Sequence, residues 1–537
     1  MLRFVFAWFM AFLVLAPVRV ECASQHDHEA GLSDRMGKVQ FDTSCSPEVN
    51  DEFDLAVATL HSFGYRKSAE LFVDVLSKDP KCSMAEWGIA MSHYRELWDP
   101  PTGDDLRIGL EAAQKGLSMR PKTQRERDYL RAILSFYQNE GSDSHNARAK
   151  RYEIAMESLH SRYPRDSEAA IFYALSLIAN APLKDKTYAY QKKATQILEP
   201  ILLQQPDHPG LAHYIIHAND NPVLAQHALN AAQRYSQIAP DSPHALHMPS
   251  HIFTRLGLWD ESIASNLASV ASARKQKMAG DELHALDYLV YAYLQIGRVT
   301  EAHKLTEQLP FVEPGDAARY AGLYATAAIP ARYSIERQHW GDAAALPSPS
   351  QTSPGDAYAS TEATLYFARA LGAARLGDID SARKAMQPLL SLRDALSSSG
   401  DGDADQVTIE LKIVTAWIKW AEGDQSAALQ EIRTAAEMEE ATEKSPVSPG
   451  SIAPASEMLG DMLLLAKQPT LALAAYESSL KSTPGRLRAE YGAAVSAQEA
   501  GLPNAAEQHY RKLLTICSHA DQDLPELAQA NRFLGKE

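Results

Sequence analysis

The chain has 537 residues and a formal net charge of −16 at neutral pH, too long for one ordinary core, so it must form several domains or an extended repeat array. Hydrophobic residues at 45% and charged residues at 22% are those of a soluble globular protein. The acidic balance, with no run of Lys and Arg to offset it, argues against nucleic acid or an anionic membrane surface as the main partner.

The first stretch reads as an export signal over residues 1–24. Met1-Leu-Arg3 is followed by an apolar run from Phe4 to about Val18 and then by Val20-Glu21-Cys22-Ala23-Ser24. The run is short for an anchor helix, and no other stretch is long enough to span a bilayer. The expected product is therefore exported, periplasmic or secreted, with no membrane span after cleavage. Cys22 raises a lipoprotein alternative, although Glu21 sits where a small residue is wanted. Cys45 precedes the first repeat and Cys82 opens the second. In an oxidising compartment a disulfide between them would tie the leading segment to the repeats, two buried free thiols being the alternative.

From about residue 41 the pattern is helical throughout, with Gly, Pro and Asp punctuating at regular intervals and almost no strand-type alternation. The expectation is an all-α solenoid of helix–turn–helix repeats of the tetratricopeptide (TPR) type, in two halves, 41–345 and 361–537. The Pro/Ser/Gly-rich stretch 346–360 separates them. Repeats open near Asn50 and Ser83, the second with Trp87-Gly88. Longer helical pairs follow over Gln124 to Tyr163 and Ser167 to Gln205. Pro209 and Pro243 open the next two repeats, and others open near Glu362, Ile409, Ala453 and Leu487. Asp401-Gly-Asp403-Ala-Asp405 resembles the start of a calcium loop but lacks the glycine and the closing glutamate, and reads as a solvated acidic loop.

The chemistry sits in two H-x-x-x-H pairs, His213 with His217 and His247 with His251. On a helix each pair puts both imidazoles on one face, about one turn apart. The pairs recur at the 34-residue TPR period. Resemblance to TPR domains implies that repeat positions 2, 5, 9, 12 and 13 face the concave groove. His213 and His247 then stand at position 5, and His217 and His251 at position 9. His244 and His284 stand at position 2, Asp287 at position 5, Asp220 at position 12, Arg255 at position 13, and Trp87 at position 5 of its own repeat. The first four histidines are the candidate metal ligands. His244, His284 and Asp287 are further ligands or orienting groups, and Asp220, Arg255 and Trp87 line the same groove. Imidazole with carboxylate suits zinc, copper or iron. Against this stand a chance helical pair, a polar core histidine, and a histidine groove that binds a peptide carboxylate or senses pH. Pro249, inside the second pair, threatens to turn its face. His61, His93 and His227 read as ordinary histidines, and there is no P-loop, H-E-x-x-H, G-x-S-x-G or C-x-x-C.

The runs Ala58-Thr-Leu-His-Ser-Phe63, Ala85-Glu-Trp-Gly-Ile-Ala-Met-Ser92, His208-Pro-Gly-Leu-Ala-His-Tyr-Ile-Ile-His217, Pro243-His-Ala-Leu-His-Met-Pro-Ser-His-Ile-Phe253 and His284-Ala-Leu-Asp-Tyr288 resemble exported bacterial TPR-repeat proteins of largely unassigned function. The likeness covers roughly residues 41 to 345. It implies a secreted or periplasmic repeat protein and supplies no reaction. In such relatives a His-Pro is expected shortly before the Leu-Trp of the second repeat, where this chain has Arg95-Glu96. The leading reading is thus an exported scaffold that binds a protein or peptide in its groove and carries a histidine metal or ligand site. A metal-dependent enzyme using the same histidines, with Asp220, Arg255 or Tyr288 orienting substrate, is the second reading. A metal-free adaptor is the third.

Overall fold

A computed structural model describes residues 35–97, 100–101, 103–138, 143–309, 320–348, 359–399 and 403–536. The expected signal 1–24, Trp98, residues 349–358 of the linker and Asp401 of the acidic loop lie outside them. Among the described residues every regular element is a helix. The helices pair as antiparallel hairpins in chain order, beginning with Asn50–His61 against Tyr65–Lys78 and Ser83–Tyr94 against Asp104–Ser118. The fold is an all-α TPR-type solenoid.

Local chemistry explains where the helices start and how closely they stack. Proline occupies the first turn at Pro209, Pro243, Pro469, Pro503 and Pro525, where its missing N–H costs nothing. Thr123 and Glu126 form a reciprocal capping box at the start of Gln124–Tyr137. Between successive helices, a glycine on one receives an aromatic ring from its neighbour. A Cβ at Gly88 would stand 2.3 Å from the Phe72 ring, so only glycine lets these helices approach.

Three apolar clusters make up the core. The first runs from Phe41 to Phe253, the second from Trp259 to Ile329, and the third from Ala328 to Ala530. The helix Tyr320–Glu336 gives Ala325 and Ile329 to the second cluster and Ala328, Ala331 and Ile335 to the third. Cys45 and Cys82 form a disulfide that ties the leading segment to the second hairpin.

Two departures from an open solenoid matter for the site. First, the segment before the first hairpin occupies the groove of the early repeats. Phe41 packs on Trp87 and Tyr129, its N–H donates to Asp54, and Ser44 donates to Glu126. Trp87, expected to line an open groove, is therefore a core residue enclosed by Phe41, Tyr129 and Phe172. Second, the C-terminal half folds back onto the middle repeats. Trp259 Nε1 donates to the Gly485 carbonyl at 2.8 Å, and Asp521 N–H to the Gly297 carbonyl at 3.0 Å. Arg486 reaches Tyr291 and Glu336. No helix among the described residues is long and apolar enough to cross a membrane.

Candidate metal centre

The site is built by three successive helical layers: Pro209–Asn219, then Pro243–His247 with Pro249–Arg255, then Ala279–Gln295. Pro249 interrupts the hydrogen-bond ladder without turning the chain, because Met248 keeps helical angles (φ −52°, ψ −36°). The His251 N–H bonds instead to the Met248 carbonyl, and both histidines of the second pair stay on one face.

Six imidazoles gather there in two triads. His213, His217 and His244 form the first, and His247, His251 and His284 the second; within each, one ring nitrogen per residue lies within 4.8 Å of the others. In the first triad His213 Nε2 is 2.9 Å from His217 Nε2 and 3.0 Å from His244 Nε2. In the second, His247 Nε2 and His251 Nε2 are 3.0 Å apart. Each triad thus takes its H-x-x-x-H from one repeat and its third histidine, at position 2, from the next. The triads adjoin: the His217 and His251 ring centres, from different triads, are 6.1 Å apart, against 6.2 Å for His217 and His244 within one.

Partners on the far side of the rings fix the tautomers. His213 Nδ1 is 2.6 Å from the His61 carbonyl oxygen, which can only accept, so Nδ1 carries the proton and Nε2 a bare lone pair. His247 Nδ1 is 2.6 Å from Asn266 Oδ1, whose amide nitrogen is engaged with the Ser262 carbonyl. His251 Nδ1 is 2.9 Å from Asp220 Oδ2. Burial pushes the Asp220 carboxyl up, but Lys444 and Arg255 outweigh it and hold the group ionised, well below its ordinary value. A carboxylate cannot donate, so His251 Nδ1 is the donor. His247 and His251 therefore aim two lone pairs at each other across 3.0 Å in a buried site. Burial, reinforced by neighbouring imidazoles, lowers the pKa of His213, His247 and His284 well below the ordinary histidine value. Burial, with His251 and then His244, does the same to His217, and burial with His213 and then His247 to His244. The set is neutral at neutral pH, the form that ligates metal.

Other expected groups are placed differently. Asp220 orients His251 and is itself clamped by Arg255 at 2.8 Å and Lys444 at 3.0 Å. Arg255 serves that clamp. Asp287 lies outside both triads, paired with Arg332 at 3.1 Å, because this buried guanidinium needs a counter-charge. Tyr288 stands against the second triad, its hydroxyl 3.2 Å from His251 Nδ1.

Several contributors escaped the sequence reading. His61 is one, read there as ordinary. It lies in a buried brace in which Glu168 accepts from His61 Nε2 at 2.9 Å and His208 Nε2 at 2.8 Å, while Tyr214 bonds His61 Nδ1. Burial raises Glu168, but the two histidines hold it far below its ordinary value. The His61 carbonyl at the end of this brace orients His213. Phe63 follows in the left-handed region (φ 56°), which costs a bulky residue about 1–2 kcal/mol. Its ring lies against His213, His217 and His244. Asn266 and Lys444 are the others, and the segment 443–450 that carries Lys444 closes over the second triad, with Tyr288 hydroxyl 3.4 Å from the Ser448 carbonyl. Burial, partly offset by Asp220, pushes Lys444 down to about 8. The groove expected to be open here is roofed by the chain itself, and only His217 and His244 keep partial exposure.

No family model matches the chain, and no curated protein matches it. Among solved structures it is similar to a crystal structure of the APC/C hetero-tetramer Cut9-Hcn1. They are 14% identical with a TM-score of 0.29, covering 91% of this chain and 96% of that one. A likeness at that level says nothing of the site or its activity.

Proposed function

We propose that this protein is an exported transition-metal-binding solenoid that holds one ion in each histidine triad. The observation that supports it is the pair of bare Nε2 lone pairs of His247 and His251 at 3.0 Å, each committed by an acceptor on its far side. Two facing lone pairs repel, and a cation between the imidazoles relieves that repulsion while satisfying both. Backing each ligand with a carbonyl, amide or carboxylate is how proteins orient metal-binding histidines. Neutral imidazoles alone suit copper, zinc or iron. Export follows from the signal-like residues 1–24 and agrees with a Cys45–Cys82 disulfide. The metal reading is preferred to a peptide-binding adaptor because residues 443–450 of the same chain lie where a peptide would reach these histidines.

Metal content of the mature protein, purified without a nickel column and measured by mass spectrometry, tests this. One ion per triad is expected. The double substitution His247→Ala with His251→Ala should remove the ion of the second triad while far-ultraviolet circular dichroism stays near wild type. Unchanged metal content in that variant, or a wild-type protein that takes up no copper, zinc or iron, would falsify the assignment.

A further inference from the structure

The two triads are too close to act as separate stores. Ring centres from different triads approach to 6.1 Å (His217–His251) and 6.4 Å (His244–His247). The ligating set consists of histidines only. The nearest carboxylate, Asp220, is turned to His251 Nδ1 and neutralised by Arg255 and Lys444, and Asp287 is held by Arg332. Among the described residues no carboxylate therefore belongs to either triad.

That donor set discriminates among metals. Three neutral nitrogens suit a three-coordinate cuprous ion, whose single charge costs least to bury. Zinc completes a tetrahedron with a further ligand, and non-haem iron favours a carboxylate among its ligands. Two cuprous ions side by side carry one removable electron each. On oxidation they become cupric and the buried charge doubles, with no carboxylate ligand in either triad to offset it. A ligand that arrives neutral and becomes a dianion between them resolves this.

We propose that the two triads form one dinuclear copper centre whose ligand is dioxygen; this rests on the metal-binding reading above. The balance is closed: two cuprous ions each give one electron, dioxygen accepts both and becomes peroxide bridging two cupric ions, and no proton or further reductant is required. The geometry also limits what enters. Segment 443–450 and Tyr288 roof the second triad and Phe63 lies against the first, while His217 and His244 are partly buried.

The test loads metal-free protein with cuprous ion under nitrogen, counts bound copper, then admits oxygenated buffer. One copper per triad, uptake of one dioxygen per pair, a new charge-transfer absorption and an electron paramagnetic resonance signal far below the copper content are expected, because bridged cupric ions couple. The dizinc form, which has no electron to give, should take up no dioxygen. In His284→Ala, with folding checked by circular dichroism, the copper that remains should give a full, uncoupled signal after oxidation. Wild-type protein that binds both coppers yet consumes no dioxygen, or whose cupric ions give a signal accounting for all the copper, overturns the dinuclear inference and leaves metal binding standing. Failure to bind copper, zinc or iron at all removes both.

Discussion

At the scale of single residues, the proposed site depends on what stands behind the ligands as well as on the ligands themselves. Asn266 is a side chain on the second helix of its hairpin whose amide oxygen commits His247 to the ligating tautomer. Asn266→Ala should leave all six imidazoles in place yet weaken metal binding by about 10–100-fold. Competition against a chelator of known affinity reads this, and an unchanged affinity refutes the tautomer argument. The same burial predicts a pH dependence for the metal-free protein. These histidines have folded-state pKa values below the ordinary 6.5, so between the two values the unfolded chain binds more protons. Stability is then fully present above pH 6.5 and is lost as the pH falls below it, which thermal melts across that range would follow. The four histidines of the two H-x-x-x-H pairs were legible because helical spacing is local. His244 and His284 were legible as groove residues through the repeat register. His61 was not, because its contribution is a backbone carbonyl, and carbonyls leave no trace in residue type. Asn266 escaped for another reason: the groove positions lie on first helices, and it reaches His247 from the second.

At the scale of elements, two segments without repeat character change what the repeats present. The stretch carrying Phe41 fills the early groove, which is why Trp87 is core. The segment 443–450 covers the second triad through Lys444 and Ser448. Repeat consensus describes hairpin packing and is silent on both, so an open groove was the natural expectation and was wrong at these places. Lys444→Ala removes the tether between this roof and Asp220. Loss of a buried charge partner of that kind is worth at least about 1.4 kcal/mol, or roughly tenfold in rate. Metal release to excess chelator should therefore accelerate by at least that factor. Release at the wild-type rate would mean that the segment is not the barrier. Pro249 shows the opposite error of emphasis: its ring forbids one ladder bond, but a 3₁₀-like bond from His251 keeps the helix on course.

At the scale of the whole molecule, the fold class was legible because 34-residue punctuation survives along the chain, whereas the return of the C-terminal half was not. That return depends on contacts 150 to 226 residues apart, among them those of Arg486. It is buried with Glu457, Glu336 and Tyr291. Removing it strands two buried carboxylates, and Arg486→Ala should cost about 3–5 kcal/mol of stability. Chemical denaturation should show this loss, and a variant as stable as wild type would place the hold between the halves elsewhere.

The sharing of histidines between consecutive hairpins has one more consequence. The triads are related by translation along the repeat axis, not by a two-fold rotation, so they run head to tail. Such an arrangement has a direction. One member looks toward the Phe63 turn and the other toward Asp220 and Tyr288, and nothing in the geometry makes them equal. The series also has a natural terminus: at the next junction positions 5 and 9 hold Asp287 and Tyr291, which are given over to Arg332 and Arg486. On the proposed reading the solenoid thus offers two such sites and stops, and the two are not equivalent.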